Sequence, residues 1–298
     1  MAAGKELKRR IKSIKNTKKI TKAMELVSAS KMKRAISATL ASRAYAGYSW
    51  EVLQSLAEYV SETQNPLIAG AGTDKSKEKI LVVLVTSNRS LCGGYNSQVT
   101  RKTIAFIREH AGQTLDFISI GAKGESNLRR LGQNIIASFN DIADAPKLND
   151  IYPIGNYILD LYKKGGYDRV CVAYTDFVSA LTQTPQIATL LPVKKEELIE
   201  TIAEAKQNAS KATINYTFEP DYETLMSMIV EKIARMRVYQ MILESTASEH
   251  SARMLAMKNA SDAAGEMIDD LTLAFNKARQ AGITQEISEI SAGMASVS

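Results

Sequence analysis

The residues of this chain best placed to do chemistry lie in two small turns. In Leu84-Val-Thr-Ser-Asn-Arg-Ser-Leu-Cys-Gly-Gly-Tyr-Asn96, a glycine-containing turn over Ser87 to Tyr95 follows an aliphatic run and precedes a helical stretch. Gly121-Ala-Lys-Gly124 opens another helix after another strand. Turns of this kind bring backbone amides to a phosphate in doubly wound sheets. Neither has the spacing of a nucleotide fingerprint. Gly93 and Gly94 are adjacent and no lysine follows them, so neither GxGxxG nor GxxxxGK(S/T) is present. Both are therefore expected to be turn chemistry in an ordinary sheet domain. Cys92 at a helix start has the position for a depressed thiol pKa, but no base is evident beside it, and a small buried thiol is expected. Cys92 and Cys171 are isolated, no CxxC occurs, and the chain has two histidines. A zinc site or disulfide framework is not expected, and no cofactor or metal is assigned. No nucleophile–base pair or catalytic carboxylate pattern is found.

Charge is distributed unevenly. Residues 1–34 carry twelve Lys and Arg against Glu6 and Glu25, a local +10 within a net charge of +6, which leaves −4 for the remainder. The partner of this segment is expected to be acidic. The segment contains no aromatic side chain on which a base could stack, so nucleic acid is not the expected partner. The positive charges surround a helix instead of lining one stripe, as suits an environment that encloses it.

The elements that carry these residues begin with two long helices. From about Asp221 to Ser298, apolar and small residues recur at alternating spacings of three and four: Met226, Ile229, Ile233, Met236, Gln240, Leu243, Ala247, His250, Met254, Met257, Ser261, Ala264, Ile268, Leu271, Phe275, Ala278 and Gly282. This is a heptad seam, and no proline interrupts it. At 1.5 Å per residue such a rod approaches roughly 100 Å. It must lie against a partner helix and reach out of its own globule. Eight of the eleven methionines fall here, and their flexible thioethers repack easily. A weaker seam runs from Lys5 to Val60 through Ile11, Ile14, Lys18, Thr21, Glu25, Ser28, Met32, Ala35 and Thr39. The two helices are expected to pair antiparallel, with Val60 near Met226.

Asn65 to Lys79 is a linker by its Pro66, Gly70 and Gly72. Beyond it, strands are expected at Lys79 to Thr86, Leu115 to Ile120, Asn134 to Phe139, Asp168 to Tyr174 and Gln186 to Leu191, with a last edge strand at Thr213 to Phe218. Helices are expected at Asn96 to His110, Lys123 to Leu131 and Ile151 to Lys164. Alternating strands and helices imply a mostly parallel sheet covered on both faces. The fold class is thus α/β: a Rossmann-like domain over 79–218, inserted between coiled-coil helices 1–62 and 219–298, with a linker over 63–78. The longest aliphatic run, Ile80 to Val85, falls far short of the about 20 residues a bilayer span needs. No signal peptide is read at the N-terminus. An intracellular protein without membrane insertion is expected.

Three stretches carry a resemblance. Arg10 to Lys33, Ser248 to Ala260 and Asn276 to Ile290 resemble the corresponding segments of the γ subunits of F-type ATP synthases, and Ser90-Leu-Cys-Gly-Gly-Tyr-Asn96 is similar to a Leu-Cys-Gly turn of that family. One departure is Ser90, where the family commonly has glycine. The resemblance implies an antiparallel coiled coil inside a ring of three α and three β subunits. It also implies an α/β domain outside that ring, bound to ε and to the membrane c-ring. It further implies a peripheral place on the cytoplasmic face of a bacterial plasma membrane, and ATP chemistry on β with none on this chain. Met24, Lys31, Lys33, Arg34, Arg253, Arg279, Gln280, Thr284 and Glu286 are by this resemblance the coupling and partner-contact residues, with Met24 near Arg279, Gln280, Thr284 and Glu286. A nucleic-acid-binding coiled coil and a Rossmann-like enzyme with a helical arm are the alternatives from other classes.

Overall fold

The computed structural model describes residues 2–57, 67, 78–144, 146–193 and 222–295. Its elements in chain order are α1 (Ala2–Ala57), β1 (Lys79–Val85), α2 (Tyr95–Glu109), β2 (Thr114–Ile120), α3 (Ala122–Arg130), β3 (Asn134–Phe139), α4 (Leu148–Lys163), β4 (Arg169–Phe177), β5 (Gln183–Leu191) and α5 (Tyr222–Ala295). The chain divides into two compact units, Met1–Ala29 with Arg253–Ser298, and Ser30–Ala252.

The Ser30–Ala252 unit is built on one five-stranded sheet of order β3-β2-β1-β4-β5. The first four strands are parallel, and β5 runs antiparallel to β4. Strand β1 shows how the sequence specifies two covered faces. Leu81, Val83 and Val85 point to one face, where they pack with Ile154 and Ile158 of α4 and with Ile233, Val238 and Ile242 of α5. Ile80, Val82 and Leu84 point to the other, against Val99 of α2 and Leu128 of α3. Alternation along an unbroken aliphatic run thus supplies two cores at once. Truncating a fully buried member such as Ile242 to alanine is worth about 2–5 kcal/mol.

Within the described residues, the strands and helices expected from sequence are present, with shifts that have local causes. Helix α4 starts at Leu148, earlier than Ile151, because Asp150 accepts a hydrogen bond from the Lys147 amide at 2.9 Å and caps the first turn. Strand β4 runs on to Phe177 because β5 pairs with it as far as Phe177 and Gln183. The expected strand at Thr213 to Phe218, most of the linker and the Val60 end of the helix pairing lie outside the described residues.

In this unit α5 departs from a simple coiled-coil seam. Ala234, Val238, Tyr239, Met241, Ile242, Ser245 and Ser248 are buried in addition to the seam positions Ile233, Leu243 and Ala247. The helix is here a core element of the sheet domain, wrapped on several sides, and a heptad pattern alone does not reveal that.

The unit of Met1–Ala29 and Arg253–Ser298 follows the heptad reading closely. Thr21, Ser28, Met257, Ser261 and Ala264 are buried. Ile268, Leu271, Phe275, Ala278 and Gly282 are half-buried, while the residues between them on α5 are exposed. Thr21 and Ser261 join their hydroxyls at 2.7 Å, and Gly265 lies beside the Lys18 ammonium. Rising numbers on α1 meet falling numbers on α5, so the helices run antiparallel. Small side chains at the crossing let the backbones approach.

Candidate functional site

The turns at the carboxyl ends of β1 and β2 are where a doubly wound sheet would present amides to a phosphate, and here the chain satisfies them with its own acceptors. The Ala122 amide donates to Asn88 Oδ1 at 3.0 Å and the Lys123 amide to the Ser87 carbonyl at 3.2 Å. The Gly124 amide donates to Thr86 Oγ1 at 2.7 Å and the Glu125 amide to the Gly121 carbonyl at 3.4 Å. The first turn of α3 is thereby satisfied internally. Gly121 sits at φ 98°, and a Cβ there would stand 2.2 Å from the Thr86 carbonyl oxygen. These glycines serve close packing of strand against helix.

The turn after β1 is held by a network of side chains. Asn96 accepts from the Ser87 amide at 3.0 Å and donates to Ser87 Oγ at 2.7 Å and to Cys92 Sγ at 3.2 Å, while Ser87 Oγ donates to the Arg89 carbonyl at 2.7 Å. Cys92 is buried inside this network, as a structural thiol would be. Burial pushes the Cys171 thiol up from its ordinary pKa. Ser90, which replaces the glycine usual in the resembling turn, needs no left-handed backbone. Leu91 has it instead, at φ 66°, with its side chain exposed. A non-glycine residue in that region costs roughly 1–2 kcal/mol, so the network pins a strained, outward-pointing leucine. Sequence reasoning passed over Leu91, because residue spacing does not show the side-chain hydrogen bonds within the turn that surround it.

The residues marked by the resemblance are spread along the helices. Lys5, Lys8, Arg9, Arg10, Lys12, Lys15, Lys18, Lys19 and Lys22 are all exposed, so positive charge does surround α1. Arg10 pairs with Glu6 and Lys22 with Glu25 within the helix. Exposed ion pairs of this kind contribute little to stability. Met24 is half-buried, and Lys33 and Arg34 are exposed. Lys31 is engaged inside its own unit, where its ammonium meets Asp144 at 2.5 Å. That hydrogen bond holds the Asp144 carboxyl below its ordinary range against the opposing effect of burial. Arg253 is buried. Arg279, Gln280, Thr284 and Glu286 are exposed, the Thr284 hydroxyl donating to the Gln280 carbonyl at 3.0 Å.

Proximity of Met24 to Arg279 is not found. With Thr21 level with Ser261 and Lys18 level with Gly265, Met24 comes level with about residue 258. Arg279 then lies about twenty residues, or roughly 30 Å, further along α5. A heptad pattern leaves register open by whole heptads, and the contacts at Thr21 and Lys18 select this one.

Around these residues lies exposed apolar surface: Ile20, Leu26 and Val27 on α1, and Leu273, Ile283, Ile287, Ile290 and Met294 on α5. Apolar and cationic groups together on a helix pair suit a lining that is apolar in places and acidic in others. Among the described residues, no helix is long and apolar enough to cross a membrane.

Comparison with known proteins adds to this geometry. The sequence matches the family described as ATP synthase over residues 3–297. It is 39% identical over 300 residues to the ATP synthase gamma chain of Legionella pneumophila (strain Paris), covering 100% of both chains. It is 42% identical over 302 residues to that of Herpetosiphon aurantiacus, covering 98% of each. Among solved structures, the central stalk and c-ring of the Tetrahymena thermophila mitochondrial ATP synthase contains a chain with a TM-score of 0.60 at 28% identity, covering 81% of this chain and 99% of that one. The Euglena gracilis mitochondrial ATP synthase rotor shares the fold, with a TM-score of 0.63 at 17% identity over 95% of this chain and 99% of that one.

Proposed function

The chain belongs to the ATP synthase gamma-chain family, and on that premise we propose that it is the rotating shaft of the enzyme's central stalk. The paired helices stand inside the ring of α and β subunits. The sheet domain stays outside, where it meets ε and the membrane c-ring. The chain makes and breaks no bond of ATP; that chemistry belongs to β. It works peripherally, on the cytoplasmic face of a bacterial plasma membrane.

The observation that carries this proposal is the helix pair itself. A narrow seam, buried at Thr21, Ser28, Met257, Ser261 and Ala264 and half-buried from Ile268 to Gly282, leaves the α5 residues between those last positions exposed, with cations on every side of α1. An enclosing partner supplies the surface that such a pair leaves uncovered. A shaft acts on its ring by population shift, since it drives β only if it contacts the open and closed forms differently. Met24, Lys33, Arg34, Arg253, Arg279, Gln280, Thr284 and Glu286 are the residues proposed to make those contacts. Lys31 is proposed to join them through its tie to Asp144. A DNA-binding reading has no comparable support, since residues 1–34 have no aromatic side chain.

The test is reconstitution. The purified chain mixed with α and β subunits from the same organism, with nucleotide and Mg²⁺, is expected to enter one complex and to make its ATP hydrolysis depend on this chain. Failure to assemble, together with salt-dependent binding to duplex DNA, would overturn the proposal.

A further inference from the structure

A shaft transmits torque only if it cannot turn inside the domain that drives it. We propose that Ser245, Ser248 and Ser251 form a key that fixes the rotational phase of α5 in the sheet domain, so that domain and helix turn together. This inference rests on the rotor function proposed above.

Strand β4 leaves its partner β1 at Ala173 and continues to Phe177, paired there with β5 alone. This hairpin extension runs along one stripe of α5, where residues three apart share a face. The Thr175 amide donates to Ser245 Oγ at 3.0 Å, and Ser248 Oγ donates to the Thr175 carbonyl at 3.2 Å. One helical turn on, Ser251 Oγ donates to the Ala180 carbonyl at 2.6 Å and accepts from Gln183 Nε2 at 3.4 Å. All three serines are buried. Thr175 engages Ser245 and Ser248 through its main chain, and its own buried hydroxyl has no hydrogen-bond partner among the described residues. Elsewhere on the same helix, the Tyr239 hydroxyl donates to the Pro146 carbonyl at 3.3 Å, and His250 Nε2 lies 3.2 Å from the Asp144 carbonyl.

Apolar packing alone sets such a phase less sharply. Contacts of Val238, Met241 and Ile242 are non-directional, and methionine repacks around a small rotation. Hydrogen bonds weaken steeply with angle, so bonds from one stripe to fixed main-chain groups oppose rotation in either sense. Alanine would give a better helix and a drier core at these positions. The serine hydroxyls add direction, which burial lacks.

The test uses the complete enzyme in sealed vesicles, carrying either the native chain or S245A/S248A/S251A. Complex mass, ATP hydrolysis and ions pumped per ATP are measured on the same preparation. The native chain comes first: if it fails to assemble, or hydrolysis does not depend on it, the rotor function falls and this inference with it. If it assembles, the triple variant is expected to assemble and hydrolyse ATP while pumping per ATP falls about two-fold, through loss of bonds that each bias the aligned state. A merely structural role would lower the amount of complex and leave the ratio unchanged. An unchanged ratio in assembled enzyme overturns the key. Should the triple variant fail to assemble, Ser251→Ala alone decides: a smaller loss in the ratio supports the key, and an unchanged ratio overturns it.

Discussion

Thr21 and Ser261, 240 positions apart in the chain, join their hydroxyls at 2.7 Å, both side chains buried between α1 and α5. A single polar pair thus marks the register of the antiparallel helices. Leucine at both positions would bury more surface but would not distinguish one heptad register from the next.

The pair should behave as a coupled unit. Thr21→Val strands the Ser261 hydroxyl in the seam and is expected to cost about 1–3 kcal/mol. Ser261→Ala is expected to act similarly. The double variant should recover about 1 kcal/mol relative to the sum of the single changes. Urea unfolding of the four proteins measures this directly, and additive losses would show that the hydroxyls do not interact.

Gly121 and Gly132 both have positive φ, 98° and 66°, but differ in surroundings. A Cβ at Gly121 would collide with the Thr86 carbonyl, whereas at Gly132 it would meet nothing within 4 Å. Gly121→Ala is therefore expected to cost at least about 3 kcal/mol, and Gly132→Ala about 1 kcal/mol. Thermal unfolding of the two variants should rank them in that order.

Much of this architecture is legible in the sequence, for reasons that can be named. Ile80 to Val85 is apolar at every position, so both faces of its strand had to be covered. The periodicity from Ile268 to Gly282 selects the residues that the structure shields. What escaped depends on contacts distant in sequence. Leu91 is a local exception: its φ of 66° sits in a turn held by side-chain bonds among Ser87, Cys92 and Asn96, which residue spacing alone does not show. Nothing local to Asp144 points to Lys31, 113 positions away. Ser245, Ser248 and Ser251 fall between the seam positions, and only the β4–β5 hairpin shows their partners. Met24 and Arg279 were expected to be neighbours, and the register set near Thr21 separates them.

Glu125 gives a prediction for pH. Asn140 and Ser138 donate to its Oε2 at 2.8 and 2.7 Å, and Arg129 donates to its Oε1 at 2.8 Å. These bonds, Asn140's foremost, hold its pKa at about 2 against an ordinary 4.5. A carboxyl depressed on folding stabilises the native state above its unfolded pKa, and that contribution is lost as pH falls through the folded value. Between about pH 4.5 and pH 2 the native chain should therefore lose stability. Asn140→Ala should bring the Glu125 titration closer to its ordinary value by carboxyl-carbon NMR and flatten that part of the stability profile. An unmoved titration would contradict the assignment.

The last turns of α5 should matter to torque more than to folding. Ile287, Ile290 and Met294 are 60%, 65% and 72% exposed, so a chain ending at Glu286 loses little packing. Its unfolding free energy is expected to stay within about 0.5 kcal/mol of the full chain, while the assembled enzyme turns against load less well. A large loss of stability would show that these residues support the fold.

Rotation itself is the most direct test of the central claim. A bead fixed to the sheet domain of this chain, in a complex whose α and β subunits are anchored to a surface, should turn steadily in one direction when ATP is added and stop when it is exhausted. Hydrolysis by the same anchored complexes while the bead only fluctuates about a fixed angle would contradict the account.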